Sequence, residues 1–530
     1  MQRDLAATTT HSAKRTGEGV RKQDLVLSVV SGILLALSFP PLKMGFLAYL
    51  GFVPFLYALH RKSFRDAAYL GFVMGLAFYG ACCYWIFIIT VLGGMITVVV
   101  YALHVALFAL VLRLFIQDPS EQAATGFGRL RTEELGIWAA PLIWTAIEYL
   151  QSFGALGFPW GALGYTQTEY PPLIQYAQAT SVYGVSCWIL IVNLVVYRLA
   201  QQAGNTRSLA ASWCVVLVLL FAVPYGYGRW AMHRCDRAQA SARHVRIAIV
   251  QPNIGPGDKW EDREISLELL PSMSRRAAAD RPDLIVWPET AVPFFLLKQP
   301  WLVRRMHDLS DSLDVPILTG ALGLNFEAYE AYNAAFLFLP HVSQVQHYYK
   351  TRLVPMSERV PFNTVLPFLA DLTMGRAGSF TPGRERTTFH LPLGCFATLI
   401  CYESIFPDFA RTFVARGAEL LVIITNDAWF GPWSSASQHA HMAAFRAVEH
   451  RIAVARSANT GISTFVDPCG RMIGSLELST RGITIKDVPL RQGRTFFCEY
   501  GNLFSQSCVA AVLAMLAWVF VERASRRKGR

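Results

Sequence analysis

Charge is scarce in this sequence. Asp, Glu, Lys and Arg make up 16% of its 530 residues, against 53% hydrophobic. That balance excludes an ordinary soluble protein, and a mean hydropathy of +0.32 agrees. The ten cysteines are scattered, without repeated Cys-x-x-Cys spacing, which excludes a disulfide scaffold. Cys82-Cys83 falls inside an apolar run and reads as packing. No glycine-rich phosphate cradle is present, so nothing points to a nucleotide. His439 and His441 lack a third ligand at metal spacing, and no metal or other cofactor is expected. The formal net charge is +11, yet the basic clusters flank apolar runs. The excess therefore speaks for membrane topology and anionic lipid, not nucleic acid. No small-residue cleavage site follows the first apolar run, so that run is expected to stay as a membrane helix.

What the chain does have is long apolar stretches. A spanning helix needs roughly 20 mostly apolar residues. Residues 25–42, 44–60, 67–92, 95–116, 135–153, 175–200 and 209–227 are expected to span, and 501–521 closes the chain as an eighth. The expected domains are a cytoplasmic tail (1–24), a membrane domain of seven spans (25–230), a catalytic domain (244–490), a C-terminal transmembrane helix (501–521) and a basic cytoplasmic tail (522–530). Lys and Arg gather in the N-terminal tail, after the second, fourth and sixth runs, and in the last tail. The alternate connections, including 154–172, carry no basic residue. Both termini are thus expected in the cytoplasm, with residues 231–500 on the opposite face. An error of one span would reverse that. Gly157-Phe158-Pro159-Trp160-Gly161 and Tyr165 form an aromatic, weakly charged connection, either an interfacial belt or the floor of a lipid-entry site. Glu148 and His104 lie within apolar runs, as functional groups or as groups satisfied inside the bundle.

From Val245 short β-rich runs alternate with polar helical stretches. Strands are expected at 245–251, 284–288, 316–320, 335–339, 345–349, 396–401, 420–425, 452–457 and 462–466, and helices at 264–278, 301–312 and 437–450. Continuously apolar strands such as Leu420-Leu421-Val422-Ile423-Ile424 suit a layered α/β domain covered on both faces. Three runs end in chemistry. Asp283-Leu284-Ile285-Val286-Trp287-Pro288-Glu289 ends in a carboxylate, Tyr348-Tyr349-Lys350 in an amine, and Leu399-Ile400-Cys401 in a thiol. A lone cysteine at a strand end is usually structural. A base, a cation and a thiol at one sheet edge make a nucleophilic site, because a thiolate needs a base to form and a cation to hold it.

These residues resemble the Glu–Lys–Cys triad of the nitrilase (carbon–nitrogen hydrolase) superfamily. Glu289 stands in Trp287-Pro288-Glu289-Thr290, Lys350 in Tyr349-Lys350-Thr351-Arg352-Leu353-Val354-Pro355, and Cys401 in Cys401-Tyr402-Glu403. With the apolar runs on either side, the chain resembles the apolipoprotein N-acyltransferase family, the membrane-anchored branch of that superfamily. Gln251-Pro252-Asn253 leading to Lys259-Trp260, the stretch from Thr425 to Gly431 with Trp429, Asn459-Thr460-Gly461 and Phe158-Pro159-Trp160 match that branch as well. One departure is Met356-Ser357-Glu358-Arg359, where the family usually has Phe-Gly-Glu-Tyr; the glutamate is kept.

The resemblance implies a multi-pass helical membrane bundle of about eight spans joined to a nitrilase-like αββα sandwich. It implies transfer of an acyl chain from a phospholipid such as phosphatidylethanolamine to the N-terminal amine of S-diacylglyceryl-cysteine in apolipoproteins, at the periplasmic face of the inner membrane. Cys401 would be the nucleophile, Glu289 the general base, and Lys350 with the Tyr402 amide the oxyanion donors. Glu358 and Glu403 would orient Lys350 and hold the charge balance, unless they form a structural ion pair. Trp260 and Trp429 would grip acyl chains or the acceptor, unless they are core residues. Residues 291–297 and 360–374 are expected to be mobile apolar lids. The alternatives are a membrane-tethered amidase with water as acceptor, and a transporter or lipoprotein-binding scaffold without chemistry. Cys395, close to Cys401 in sequence, leaves open a competing disulfide.

Overall fold

The computed structural model describes residues 19–116, 136–202, 207–255, 257, 261, 263–325, 327–361, 380–431 and 434–528. Helices occupy every run expected to span, but their lengths differ. Among the described residues, four are long and apolar enough to cross a membrane: Val91–Phe115, Ala177–Gln202, Ala210–Ser241 and Leu503–Ser525. The expectation of eight such spans is corrected accordingly. The first run forms a helix of only 16 residues, Lys22–Leu37, about 24 Å at 1.5 Å per residue. The second and fifth runs give the shorter apolar helices Gly45–Ala58 and Ile137–Leu150. The third is broken into Phe64–Cys82 and Ile86–Ile89, and its first turn carries Arg65 and Asp66. Together these elements form a multi-pass membrane bundle. Among the described residues, none in the most apolar stretch of Ala210–Ser241 is fully buried, as suits a helix with one side toward lipid, while Leu217, Leu220 and Phe221 pack on the bundle. Inside the bundle Glu148 Oε1 accepts from Trp144 Nε1 at 2.6 Å and the Leu163 amide at 2.9 Å, while its buried Oε2 has no hydrogen-bond partner among the described residues. His104 Nδ1 lies 2.8 Å from the Val100 carbonyl.

The helix that faces lipid does not stop at residue 230. It runs from Arg207 to Ser241 and leads almost directly into the catalytic domain. Among its described residues that domain has thirteen strands: β1 (His244–Gln251), β2 (Leu284–Val286), β3 (Val292–Phe295), β4 (Ile317–Asn325), β5 (Glu330–Phe338), β6 (Gln346–Tyr349), β7 (Thr388–Leu391), β8 (Gly394–Ile400), β9 (Leu420–Thr425), β10 (Ala453–Ala458), β11 (Ser463–Val466), β12 (Met472–Leu476) and β13 (Gly482–Pro489). One sheet runs β13-β1-β2-β4-β5-β6 with β3 beside β4; the other runs β12-β11-β10-β9-β8-β7. Parallel pairing at the centre of each sheet buries both faces of strands such as β2 and β9, hence their unbroken apolar sequences. The sheets stack face to face, and Ser457 Oγ on β10 reaches the carbonyls of Val250 on β1 and Val286 on β2 at 3.3 and 3.4 Å.

Helices close the sandwich. Glu264–Ala278 and Pro300–Leu313 cover the outer face of the first sheet through Leu267, Leu270, Leu302 and Met306. Pro407–Ala415 and Ser434–His450 cover the second. The architecture is the αββα sandwich expected of the domain. Ser434–His450 is buried along nearly its whole length because its far side meets the membrane bundle. Arg446 and Glu449 on it are both fully buried and ion-paired at 2.8 Å. Glu449 also accepts from Ser181 Oγ at 2.6 Å and the Val182 amide at 3.2 Å, where Ala177–Gln202 is kinked at a non-helical Ser181. Arg446 reaches Tyr165 Oη at 3.3 Å and the Ile405 carbonyl at 3.1 Å. Removing one partner of a buried pair strands the other charge, which costs about 3–5 kcal/mol. Glu449→Ala is therefore expected to lower the melting temperature of the purified protein sharply, while Glu449→Gln, which keeps acceptor and shape, loses less. Equal melting of both variants and the parent would mean that the carbonyls alone satisfy Arg446.

Candidate active site

The thiol sits on a sharp turn. The apolar half of β8 ends at Ile400, one residue earlier than the sequence pattern suggests. Cys401 opens a 3-10 turn, Cys401–Ile405, with φ of +51°. A side chain there is strained, and the surroundings must hold it. Glu403 does so. Its Oε2 accepts from the Ile400 amide at 2.9 Å; its Oε1 accepts from the Thr351 and Arg352 amides at 2.7 and 3.1 Å and from Tyr348 Oη at 2.7 Å. One carboxylate thus ties the elbow to the segment that follows Lys350. Its contact with Lys350 runs through that backbone rather than through the ammonium, which refines the charge-balance role expected for it.

Lys350 follows β6 and is 1% exposed. Its Nζ lies 2.9 Å from Glu358 Oε1 and 3.3 Å from Glu289 Oε1. Asn333 Nδ2 donates to the same two oxygens, at 2.9 and 2.7 Å. The remaining oxygens accept from backbone amides, Asn426 to Glu289 and Val354 to Glu358, each at 2.8 Å. Glu289 is brought in by close packing of its strand end on β4: a Cβ at Gly320 would stand 2.5 Å from the Thr290 nitrogen. Burial opposes the charge on the Lys350 amine, but the Glu289 and Glu358 carboxylates hold its pKa above the ordinary lysine value. Burial pushes the Cys401 thiol well above its ordinary value, the Glu289 charge adds to that, and Lys350 opposes it. The resting thiol is protonated, so its activation requires a base.

A buried layer supports the elbow from below. Asp427 binds Arg456 Nη2 at 2.6 Å and His439 Nδ1 at 3.2 Å. His439 Nε2 in turn meets Ser404 Oγ at 2.9 Å and the Cys401 carbonyl at 3.2 Å. Burial would raise the Asp427 carboxyl, yet Arg456 and His439 hold it down at about 2. Burial and then Arg456 lower the His439 pKa, keeping it a neutral hydrogen-bond relay. Gly461 admits Asp427, since a Cβ there would lie 2.2 Å from Asp427 Oδ2. Asn459 bonds the Ile254 amide and carbonyl and Asn426 Oδ1. Gln251 holds the turn after β12 through the carbonyls of Glu477 and Thr480. The polar motifs around Gln251, Thr425 and Asn459 are thus scaffolding for the triad end of both sheets.

The membrane bundle reaches the same elbow. Tyr402 Oη donates to the Gly157 carbonyl, and its ring stacks on Phe158 with centroids 6.3 Å apart. Phe158 stacks on Trp160, which packs on Trp85 and His439 and donates Nε1 to Gln438 Oε1 at 2.7 Å. Tyr165 Oη donates to the Ile405 carbonyl at 3.1 Å. The 157–165 connection therefore forms a wall of the site. The sequence assigned Tyr402 mainly a backbone role; its side chain is in fact the link to this wall. His441 bonds Glu169 at 2.9 Å, away from His439's partners.

Other expectations resolve differently. Residues 291–297 are no lid: they form β3, paired with β4, and Ala291, Val292 and Leu296 are buried. Most of 360–374 and Trp260 lie outside the described residues, and so does the side chain of Trp429, whose backbone is in the Asp427–Phe430 turn. Cys395 and Cys401 sit at opposite ends of β8, roughly 20 Å apart at 3.3 Å per residue, too far to pair.

The chain compares with known proteins as follows. The apolipoprotein N-acyltransferase N-terminal domain profile matches residues 31–195, and the carbon-nitrogen hydrolase profile residues 246–496. An apolipoprotein N-acyltransferase from Geobacter metallireducens is 36% identical over 513 residues, covering 94% of this chain and 96% of its own. One from Chlorobaculum tepidum is 34% identical over 532 residues, covering 93% and 96%. Among solved structures, an amidase from Nesterenkonia sp. is 22% identical with a TM-score of 0.37, over 47% of this chain and 91% of that one. With a profile of the family on its membrane half, a hydrolase profile on its soluble half and relatives matched over nearly their full length, the chain belongs to the apolipoprotein N-acyltransferase family of the nitrilase superfamily.

Proposed function

We propose that the protein transfers a fatty acyl chain from a phospholipid, such as phosphatidylethanolamine, to the N-terminal amine of S-diacylglyceryl-cysteine in apolipoproteins. The observation that carries the reading is the junction at Tyr402: the nucleophile's own turn is bonded to Gly157 and stacked on Phe158 of the membrane bundle. A thiol built into that junction is placed for lipidated substrates. Extracting a buried acyl chain into water costs about 0.8 kcal/mol per methylene, on the order of 10 kcal/mol for a long chain. A site at the bundle surface avoids that cost.

Glu289 takes the Cys401 proton, and the thiolate attacks the acyl ester carbonyl. Lys350 and the Tyr402 amide hold the oxyanion. The tetrahedral intermediate collapses, the lysophospholipid oxygen leaves with the proton from Glu289, and a thioester remains. The acceptor amine then attacks, giving its proton to Glu289, and collapse yields the amide and the Cys401 thiol. Thioester to amide is downhill, so no nucleotide is required. Glu358 and Asn333 position Lys350, and Glu403 positions the elbow. Trp260 and Trp429 are assigned to the lipid or acceptor peptide on the family resemblance.

The proposed location is an inner membrane, with the catalytic domain on the periplasmic face. Basic groups collect at one end of the bundle: Lys62 pairs with Asp24 at 2.6 Å and accepts from Arg113 through its carbonyl, while Arg113 and Arg523 both lie over Phe64. Positive charge favours the cytoplasmic side. A tag on the C-terminus should be digested by protease in inverted vesicles and protected in intact spheroplasts; the reverse pattern would turn the protein over.

Two further outcomes test the chemistry. Incubation with phosphatidylethanolamine alone should add one acyl group to Cys401, absent in Cys401→Ser, and a diacylglyceryl peptide should discharge it into an amide. An adduct discharged by water but not by the peptide would favour a hydrolase. The second outcome separates base from electrostatics. Alkylation of Cys401 by iodoacetamide should keep rising beyond pH 9, because burial and Glu289 raise the thiol pKa. Glu289→Gln removes a negative neighbour, so it should speed alkylation at pH 8 while slowing acyl transfer by about 10²–10⁴-fold. A plateau below pH 9 in the parent would contradict a protonated resting thiol.

A further inference from the structure

Away from the active site, the end of the Arg207–Ser241 helix meets the tip of the β11–β12 hairpin. Met232 and Cys235 on the helix and Cys469 on the hairpin form a small cluster of their own, all three buried. Gln239 Nε2 lies 3.5 Å from Cys235 Sγ and 3.4 Å from Cys469 Sγ, so one amide nitrogen faces both thiols. Cys469 Sγ also faces the Met232 carbonyl at 3.8 Å.

The surrounding contacts fix this juxtaposition. The Cys469 amide donates to Asp467 Oδ1 at 2.9 Å, and the Cys469 carbonyl accepts from Gln175 Nε2 at 2.9 Å. Arg471 bridges Asp467 on the hairpin and Asp236 on the helix. Those carboxylates and Cys469 also stand close enough to suggest a cation, but Arg471 already supplies the positive charge between them. The thiols themselves face weak polar partners, Cys469 Sγ lying 3.6 Å from Asp236 Oδ1 and both sulfurs near the Gln239 amide nitrogen. A cavity of about 390 Å³, lined by Cys235, Gln239, Arg451 and Arg491, reaches Cys235.

We propose that Cys235 and Cys469 form a disulfide that staples the long membrane helix to the second sheet of the catalytic domain. The oxidant is a thiol–disulfide oxidoreductase or another disulfide. The thiolate of Cys235, which lines the cavity, attacks one sulfur of the oxidant and displaces the other as a thiol. The sulfur of Cys469 then attacks Cys235 in the mixed disulfide, and the oxidant leaves fully reduced with both electrons and both protons. An oxidising compartment on this side rests on the orientation proposed above. The bond closes a loop that contains every triad residue, so it holds the domain's seat on the bundle while the substrates come and go.

The test uses the full-length protein in detergent. After incubation with oxidised glutathione and blocking with N-ethylmaleimide, peptic peptides are mapped without reduction. The expected product is a linked Cys235–Cys469 pair, two hydrogens lighter, lost in Cys235→Ser and in Cys469→Ser. Oxidised parent protein should melt several degrees above the reduced form, and neither variant should respond to the oxidant. Recovery of both cysteines as separate maleimide adducts, or linkage of either to another cysteine, overturns the proposal. The same map on acid-quenched cells separates the two readings. A pair linked in detergent but reduced in cells supports the pairing and counts against the periplasmic orientation.

Discussion

An ammonium group that water cannot reach needs negative charge beside it. Lys350 is 1% exposed, and the active site is arranged to meet that condition. Glu289 and Glu358 flank it, Asn333 bonds both carboxylates, and the amides of Asn426 and Val354 hold their outer oxygens. These partners come from the loops after β2, β6 and β9 and from within β5, so forming the site requires both sheets in register. Burial sets the thiol as well: with the Glu289 charge added and Lys350 opposing, the Cys401 pKa is held above its ordinary value.

Much of this was legible in the sequence, because burial on both faces writes itself as an unbroken apolar run. Strands such as β8 and β9 and the helix Glu264–Ala278 are visible that way. β3, β7, β12 and β13 were not, being short, exposed on one side, or rich in polar residues. Helix lengths in the membrane half were overread. An apolar run says what the environment is, not where a helix stops: Phe64–Cys82 and Ile86–Ile89 are separate helices within one apolar run. Glu289, Lys350 and Cys401 could be singled out from strand ends and resemblance, and the structure places Lys350 against Glu289 at the strand ends. The purpose of Gln251, Asn459 and Gly461 could not, since their partners lie far away in sequence. Tyr402 was underread for the same reason, its partner Gly157 being on the other half of the chain.

The two halves are bound by polar contacts at the centre and aromatic ones around them. Arg446 and Glu449 reach Tyr165, Ser181 and Val182 without water, and Phe158, Trp160 and Trp85 pack beside them. Such a seam discriminates strongly against other orientations, because any slip leaves a buried charge unpaired. It also explains why Ser434–His450, polar in sequence, is buried nearly end to end.

The helix from Arg207 to Ser241 has 35 residues, about 52 Å at 1.5 Å per residue, where the hydrocarbon layer is roughly 30 Å thick. The helix is about 20 Å longer than that layer. Its last turns serve the catalytic domain, with Cys235 packed on Cys469 of the β11–β12 hairpin and Asp236 reached by Arg471. One rigid element is thus shared by both halves, and the hinge that could let them swing apart is reduced to the two residues between Ser241 and His244.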